Sequence, residues 1–70
     1  MKGGNNMSIV LNEYSNGSSS AMIEQHKDSI LYYLVMIDRY GEVVCYHSYK
    51  TFAGAYRYMQ KYYNGTMKEI

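Results

Sequence analysis

The chain reads as a small α+β domain in which an antiparallel sheet carries a helix on one face. Three observations predict it. Ile30–Asp38 (ILYYLVMID) and Val43–Tyr49 (VVCYHSY) are apolar, β-branched and aromatic runs separated by Arg39-Tyr40-Gly41-Glu42, the pattern of a β-hairpin. From Phe52 onward the apolar residues recur at helical spacing. Ser8–Tyr14 (SIVLNEY) is short and β-branched, which suits an additional strand.

The hairpin over residues 30–49 is the centre of this reading. Asp38 suits the first position of a type I turn. Gly41 suits the left-handed position that closes a three-residue loop with a glycine bulge. The C-terminal helix is predicted over 52–64, with Thr51 as its cap and Gly65 as its left-handed stop. At about 100° per residue, Phe52, Ala55, Tyr56, Met59, Tyr62 and Tyr63 fall on one stripe, with Arg57, Gln60 and Lys61 opposite. Gly54 falls on the outward side, where a missing side chain allows close approach of a partner backbone.

Residues 1–7 are Gly/Asn-rich and polar and are expected to be a disordered tail, followed by one domain over 8–70. Between them and the hairpin, Asn16-Gly17 marks a turn. Ala21–Lys27 reads as a short helix capped by Ser20. The alternative is that Asn16-Gly17 turns a first hairpin and makes this stretch a strand.

Composition narrows the function. A chain of 70 residues buries only about 60% of its unfolded surface, so its core is small. The single cysteine, Cys45, closes no internal disulfide and suits a reducing compartment. No run approaches the ~18 apolar residues that span a bilayer, and the expected location is cytoplasmic. Seven Lys/Arg against six Asp/Glu leave a net charge of +1, unlike a strongly basic nucleic-acid binder or its acidic mimic. Ten tyrosines without tryptophan or proline have two explanations: contact surface at an interface, or AT-rich coding DNA.

No residue set points to catalysis or a cofactor. Cys45 and His47 share a strand face and with His26 would make three zinc ligands or a Cys-His nucleophile pair. The plainer reading is a buried thiol and two ordinary histidines. No Gly-rich phosphate loop follows a strand, and the carboxylates are scattered.

The hairpin itself points to binding. With Asp38 facing Glu42, one face carries Leu31, Tyr33, Val35, Ile37, Val43, Cys45, His47 and Tyr49. The other carries Ile30, Tyr32, Leu34, Met36, Val44, Tyr46 and Ser48. Neither alternates to polar, as a wet sheet face should. One helix covers one face, and the first set, richer in β-branched residues, is assigned to it. The second then needs the N-terminal segment around Met22 and Ile23, a second copy of the chain, or a foreign protein. Tyr32, Leu34, Met36 and Tyr46 on the sheet, with Arg57, Tyr58 and Lys61 on the helix, are the expected partner-binding residues. The function expected is non-enzymatic protein binding, with a homodimer as one form of it. The alternative is a nucleic-acid-binding module in which Lys50, Arg57 and Lys61 contact phosphates and Tyr58 and Tyr62 stack on bases.

The run Tyr33–Met59, with Lys50-Thr51-Phe52 at its junction and Ala55 in its helix, resembles a hairpin-then-helix pattern of small phage and mobile-element proteins. It is similar in this respect to the arm-type DNA-binding domains of integrases, although its strands lack their basic residues. In small size, AT-rich flavour and absence of catalytic residues the chain also resembles phage-encoded inhibitors of bacterial defence, such as anti-CRISPR proteins. That likeness implies inhibition of a larger host complex.

Overall fold

The computed structural model describes residues 8–70, and the tail expected over 1–7 lies outside them. Among the described residues the chain forms β1 (Ser8–Ser15), β2 (Ser20–His26), β3 (Tyr32–Ile37), β4 (Val43–Tyr49), α1 (Phe52–Tyr62) and β5 (Lys68–Glu69). The strands make one antiparallel sheet in the order β4-β3-β2-β1-β5. The helix lies across β3 and touches β2 and β4. The architecture is the predicted α+β one, a sheet with a helix on one face.

The first correction concerns Ala21–Lys27, which is not a helix. Residues 20–26 are strand β2, and the Asn16-Gly17 turn decides it. The Asn16 side-chain oxygen accepts hydrogen bonds from the Ser18 and Ser19 amides at 3.1 and 2.8 Å. Gly17 takes the left-handed φ of 96°, open to glycine at no steric cost. The turn closes on the pair Ser15↔Ser20, and β2 then finds a partner on each side, β1 and β3. Two ladders of backbone hydrogen bonds outweigh the helical preference of Ala, Met, Glu and Gln, which is worth only tenths of a kcal/mol per residue.

The β3–β4 turn is as predicted. The Asp38 amide donates to the Glu42 carbonyl at 2.9 Å, the Gly41 amide to the Asp38 carbonyl at 3.0 Å, and Gly41 has φ 83°. Beyond it lies an irregularity the sequence did not announce. Ile37 pairs with Val43 but Met36 pairs with Cys45, leaving Val44 as an extra, bulged residue. The rest of β4 shifts by one position against β3.

That shift explains the second correction, which face the helix covers. The covered face is the one with Leu34 and Met36, both 0% exposed, together with Tyr14, Ala21, Ile23, Ala55, Met59 and Met67. Because of the bulge, Met36 faces Cys45 and Tyr32 faces Tyr49, so residues from both sets expected on the hairpin share this core. Ala21 and Ile23 lie opposite Met36 and Leu34 across β2 and widen the same apolar floor. The two-residue link Lys50-Thr51 brings the helix back onto this side, where Phe52 packs edge-on against Tyr32 with ring centres 6.2 Å apart.

Thr51 caps the helix as predicted, its hydroxyl accepting from the Gly54 amide at 3.0 Å. The helix ends at Tyr62, two residues before the predicted 64, and Asn64 and Gly65 both take left-handed φ, 55° and 74°. Its buried stripe is narrower than predicted: Ala55 and Met59 are buried, Phe52 and Tyr63 half-buried, Tyr56 and Tyr62 exposed. Gly54 does not present an open backbone to a partner. A side chain there would meet the Thr51 hydroxyl at 3.1 Å and the Tyr49 ring at 3.8 Å.

Candidate functional site

The expected partner-binding residues separate into three places. Leu34 and Met36 are core, and Tyr32 is half-buried against it. Leu34 and Met36 are fully covered in the folded chain, whereas Tyr32 keeps part of its surface exposed. Tyr46 is 54% exposed on the opposite sheet face. Arg57, Tyr58 and Lys61 are exposed on the outer side of α1.

The face opposite the helix follows from the register. Met22 and Glu24 of β2 pair with Val35 and Tyr33 of β3, and these pair with Tyr46 and Ser48 of β4. With strict alternation along each strand, Met22, Val35, Ile37 and Tyr46 form one apolar surface, extended at the bulge by the exposed Val43 and Val44. Val35 is only 8% exposed although no helix lies over it. Its neighbours in the sheet shelter it, and the patch is correspondingly flat. The N-terminal half was one candidate cover for a second apolar face. Instead, β1 and β2 join the sheet edge to edge, so they add width and not a layer. Among the described residues nothing covers this face.

Beside the apolar surface lies an aromatic corner. The His26 and Tyr33 rings stack at 4.0 Å and 7°, and the Tyr46 hydroxyl lies 3.3 Å from His26 Nε2. Glu24 Oε1 is 3.5 Å from the same nitrogen. Burial, then the Glu24 carboxylate and Tyr33, hold the Tyr46 phenol above its ordinary pKa. His26 therefore sits on the opposite face of the sheet from Cys45 and His47, which oppose Met36 and Leu34. The three ligands considered together in the sequence are not brought together, and among the described residues no three His, Cys, Asp or Glu side chains gather at metal-binding distance. Burial pushes the Cys45 thiol up, away from the low pKa of a nucleophile.

The outer side of the helix has its own character. Residues 50–67 carry Lys50, Arg57 and Lys61 and no Asp or Glu, a charge of +3 against −2 for the rest of the chain. The near-neutral total hides this asymmetry. Tyr58 and Tyr62 lie along it, and half-buried Tyr49 and Tyr63 flank them, so that the ring centres of Tyr49, Tyr58, Tyr62 and Tyr63 follow at 6.0, 6.4 and 4.9 Å.

Met22, Tyr33, Val35, Ile37, Val43 and Val44 were not among the expected contact residues. Their placement follows from the bulge at Val44, which no local residue pattern in β4 marks. No helix among the described residues is long and apolar enough to cross a membrane. No family model, curated protein or solved structure matches this chain.

Proposed function

We propose that the chain binds another protein, without catalysis, through the uncovered face of its sheet around Tyr46, Val44 and Val35. The observation that carries this is the pairing of one helix with two apolar sheet faces: α1 covers one, and the other retains a continuous surface from β4 to β2. Such a surface is unusual on a monomer unless it serves an interface. The molecule's long dimensions, 38 and 26 Å, offer room for the ~800 Å² that each partner buries in a standard interface. Inhibition of a larger complex by occupying its surface, and cytoplasmic residence in keeping with the lone thiol, belong to the same reading.

The test is the double variant Val44→Glu, Tyr46→Glu. Both side chains are about half exposed, so the fold tolerates the change while two carboxylates enter the patch. Light scattering after size exclusion and capture from lysate are compared for wild type and variant. A wild-type dimer that the variant dissolves identifies a second copy as the occupant. A wild-type monomer retaining a protein that the variant loses identifies a foreign partner. A monomer whose captured proteins are unchanged in the variant overturns the proposal.

The acid-free, tyrosine-lined side of the helix favours a second reading, single-stranded nucleic-acid binding. Three cations on phosphates give a salt slope, log K against log salt, of about −2, and base–tyrosine stacking adds to it. Arg57→Glu with Lys61→Glu is expected to abolish binding of a labelled oligonucleotide. Binding that survives this reversal, or that shows no salt dependence, removes the reading.

A further inference from the structure

A concavity lies on the helix-covered side, away from the open sheet face. It is a cleft of about 440 Å³ between the first turns of α1 and the β1–β5 edge, lined by Asn12, Tyr14, Phe52, Ala53, Tyr56 and Glu69. Its volume falls within the ~300–1,000 Å³ of small-ligand sites.

Three of the six lining residues are aromatic, and Tyr14 and Tyr56 meet at a corner and not in a stack. Tyr14 is buried and forms the floor. The Tyr56 ring stands 5.7 Å from it at an interplanar angle of 57°. Phe52 is four residues before Tyr56 and so lies on the same side of the helix. Gln60 Nε2 donates to the Tyr56 hydroxyl at 3.0 Å and to the Met67 carbonyl at 2.9 Å. This ties the Tyr56 ring to the segment that leads into β5.

The remaining chemistry is anionic. Glu69 pairs directly with Tyr14 across β1 and β5, so the two side chains share the cleft's face of the sheet, and Lys68 projects to the other. Asn12 Nδ2 donates to Glu69 Oε2 at 2.6 Å, which orients the carboxylate. Among the described residues the only carboxylate within ion-pair distance of a basic group is Glu24, beside His26. Glu69 thus faces the aromatic corner without a cation. After burial, its charge is the largest influence raising the Tyr14 phenol above its ordinary pKa.

We propose that this cleft binds an organic cation of the quaternary ammonium class, held by the aromatic side chains of Phe52 and Tyr56 above the Tyr14 floor and by the Glu69 carboxylate. A quaternary ammonium is weakly hydrated, needs no hydrogen-bond acceptor, and is drawn to the negative faces of aromatic rings. An anion would be repelled by Glu69. A neutral apolar ligand would leave its charge uncompensated. A hard divalent cation needs six or more oxygens, and the cleft supplies one carboxylate and one side-chain amide beside two phenols. The proposal does not depend on the open sheet face.

The test is a nuclear magnetic resonance titration of the full chain with tetramethylammonium chloride, against sodium chloride at equal ionic strength. Saturable shifts at Tyr14, Phe52, Tyr56 and Glu69 are expected. Choline is then compared with its neutral isostere 3,3-dimethyl-1-butanol, and both with a trimethyllysine peptide. Choline is expected to bind at least about tenfold more tightly than the isostere, the size of a desolvated cation–π contact. Whichever of choline and the peptide binds more tightly identifies the cation's source, a free metabolite or a protein side chain. Glu69→Gln keeps the bond from Asn12, and Phe52→Leu keeps an apolar side chain. Each is expected to weaken tetramethylammonium about tenfold with the folded spectrum intact. Equal binding of choline and its isostere, absence of saturation at tens of millimolar, or affinity unchanged in both variants overturns the proposal.

Discussion

Leu34→Ala and Met36→Ala are each expected to lower the free energy of unfolding by about 2–5 kcal/mol, while Tyr46→Ala changes it by less than about 1 kcal/mol. Leu34 and Met36 are 0% exposed under the helix, and Tyr46 is more than half exposed on the far side. A chain of this length has roughly 4–10 kcal/mol of stability in total, so either core truncation removes a large fraction of it. The cost exceeds simple transfer of the lost methylenes because Ile23, Ala55 and Met59, packed in the same core, cannot close the cavity fully. Urea unfolding followed by far-ultraviolet circular dichroism measures all three. A loss at Tyr46 as large as at Leu34 would mean that the open face is core and would remove the proposed interface with it.

Ala21→Lys is expected to leave no folded population at 37 °C, whereas Met22→Lys folds with a modest loss. The residues are neighbours in β2 and point to opposite faces. Ala21 lies opposite Met36 on one side and Tyr14 on the other, in a core with no buried polar or charged group among the described residues. A lysine there must bury an unpaired ammonium or push the helix away, at a cost of several kcal/mol. Met22 pairs with Glu13 and Val35, and a lysine at 22 reaches water beside Glu13 and Glu24. The contrast also tests the secondary structure. In a helix the two positions would lie only about 100° apart and could both reach water. Amide exchange and circular dichroism on the two variants separate the cases, and comparable stability of both would rule out β2 as built.

Much of the fold was legible because its signals are local. The Asp38-to-Gly41 turn, the Thr51 cap and the Asn64-Gly65 stop depend on a few adjacent residues whose backbone preferences act over one turn. The α+β class followed from a change of apolar period near Lys50, also a local property. Residues 20–26 show the limit of such reasoning. Their helical preference is real but small, and strand pairing on both sides reversed it.

The expected contact residues lie on different faces for a physical reason that reaches further. In a strand pair, a one-residue change of register turns every side chain to the other face. The extra residue at Val44 made that change for β4, so Leu34 and Met36 became core and Tyr46 kept its place on the surface. The aromatic cleft was even less accessible, because Asn12, Tyr14, Phe52, Tyr56 and Glu69 come from three elements far apart along the chain.

The two turns, the start of the C-terminal helix, the central hairpin and the surplus of apolar surface were thus determined by residue order alone, since each is set by interactions over a few neighbouring residues. Which face the helix covers, whether the N-terminal half adds a strand or a layer, and which distant side chains share a cleft were decided only by the tertiary structure. These depend on register and on the competition among strands for partners, and both are settled by contacts between segments that the sequence keeps apart.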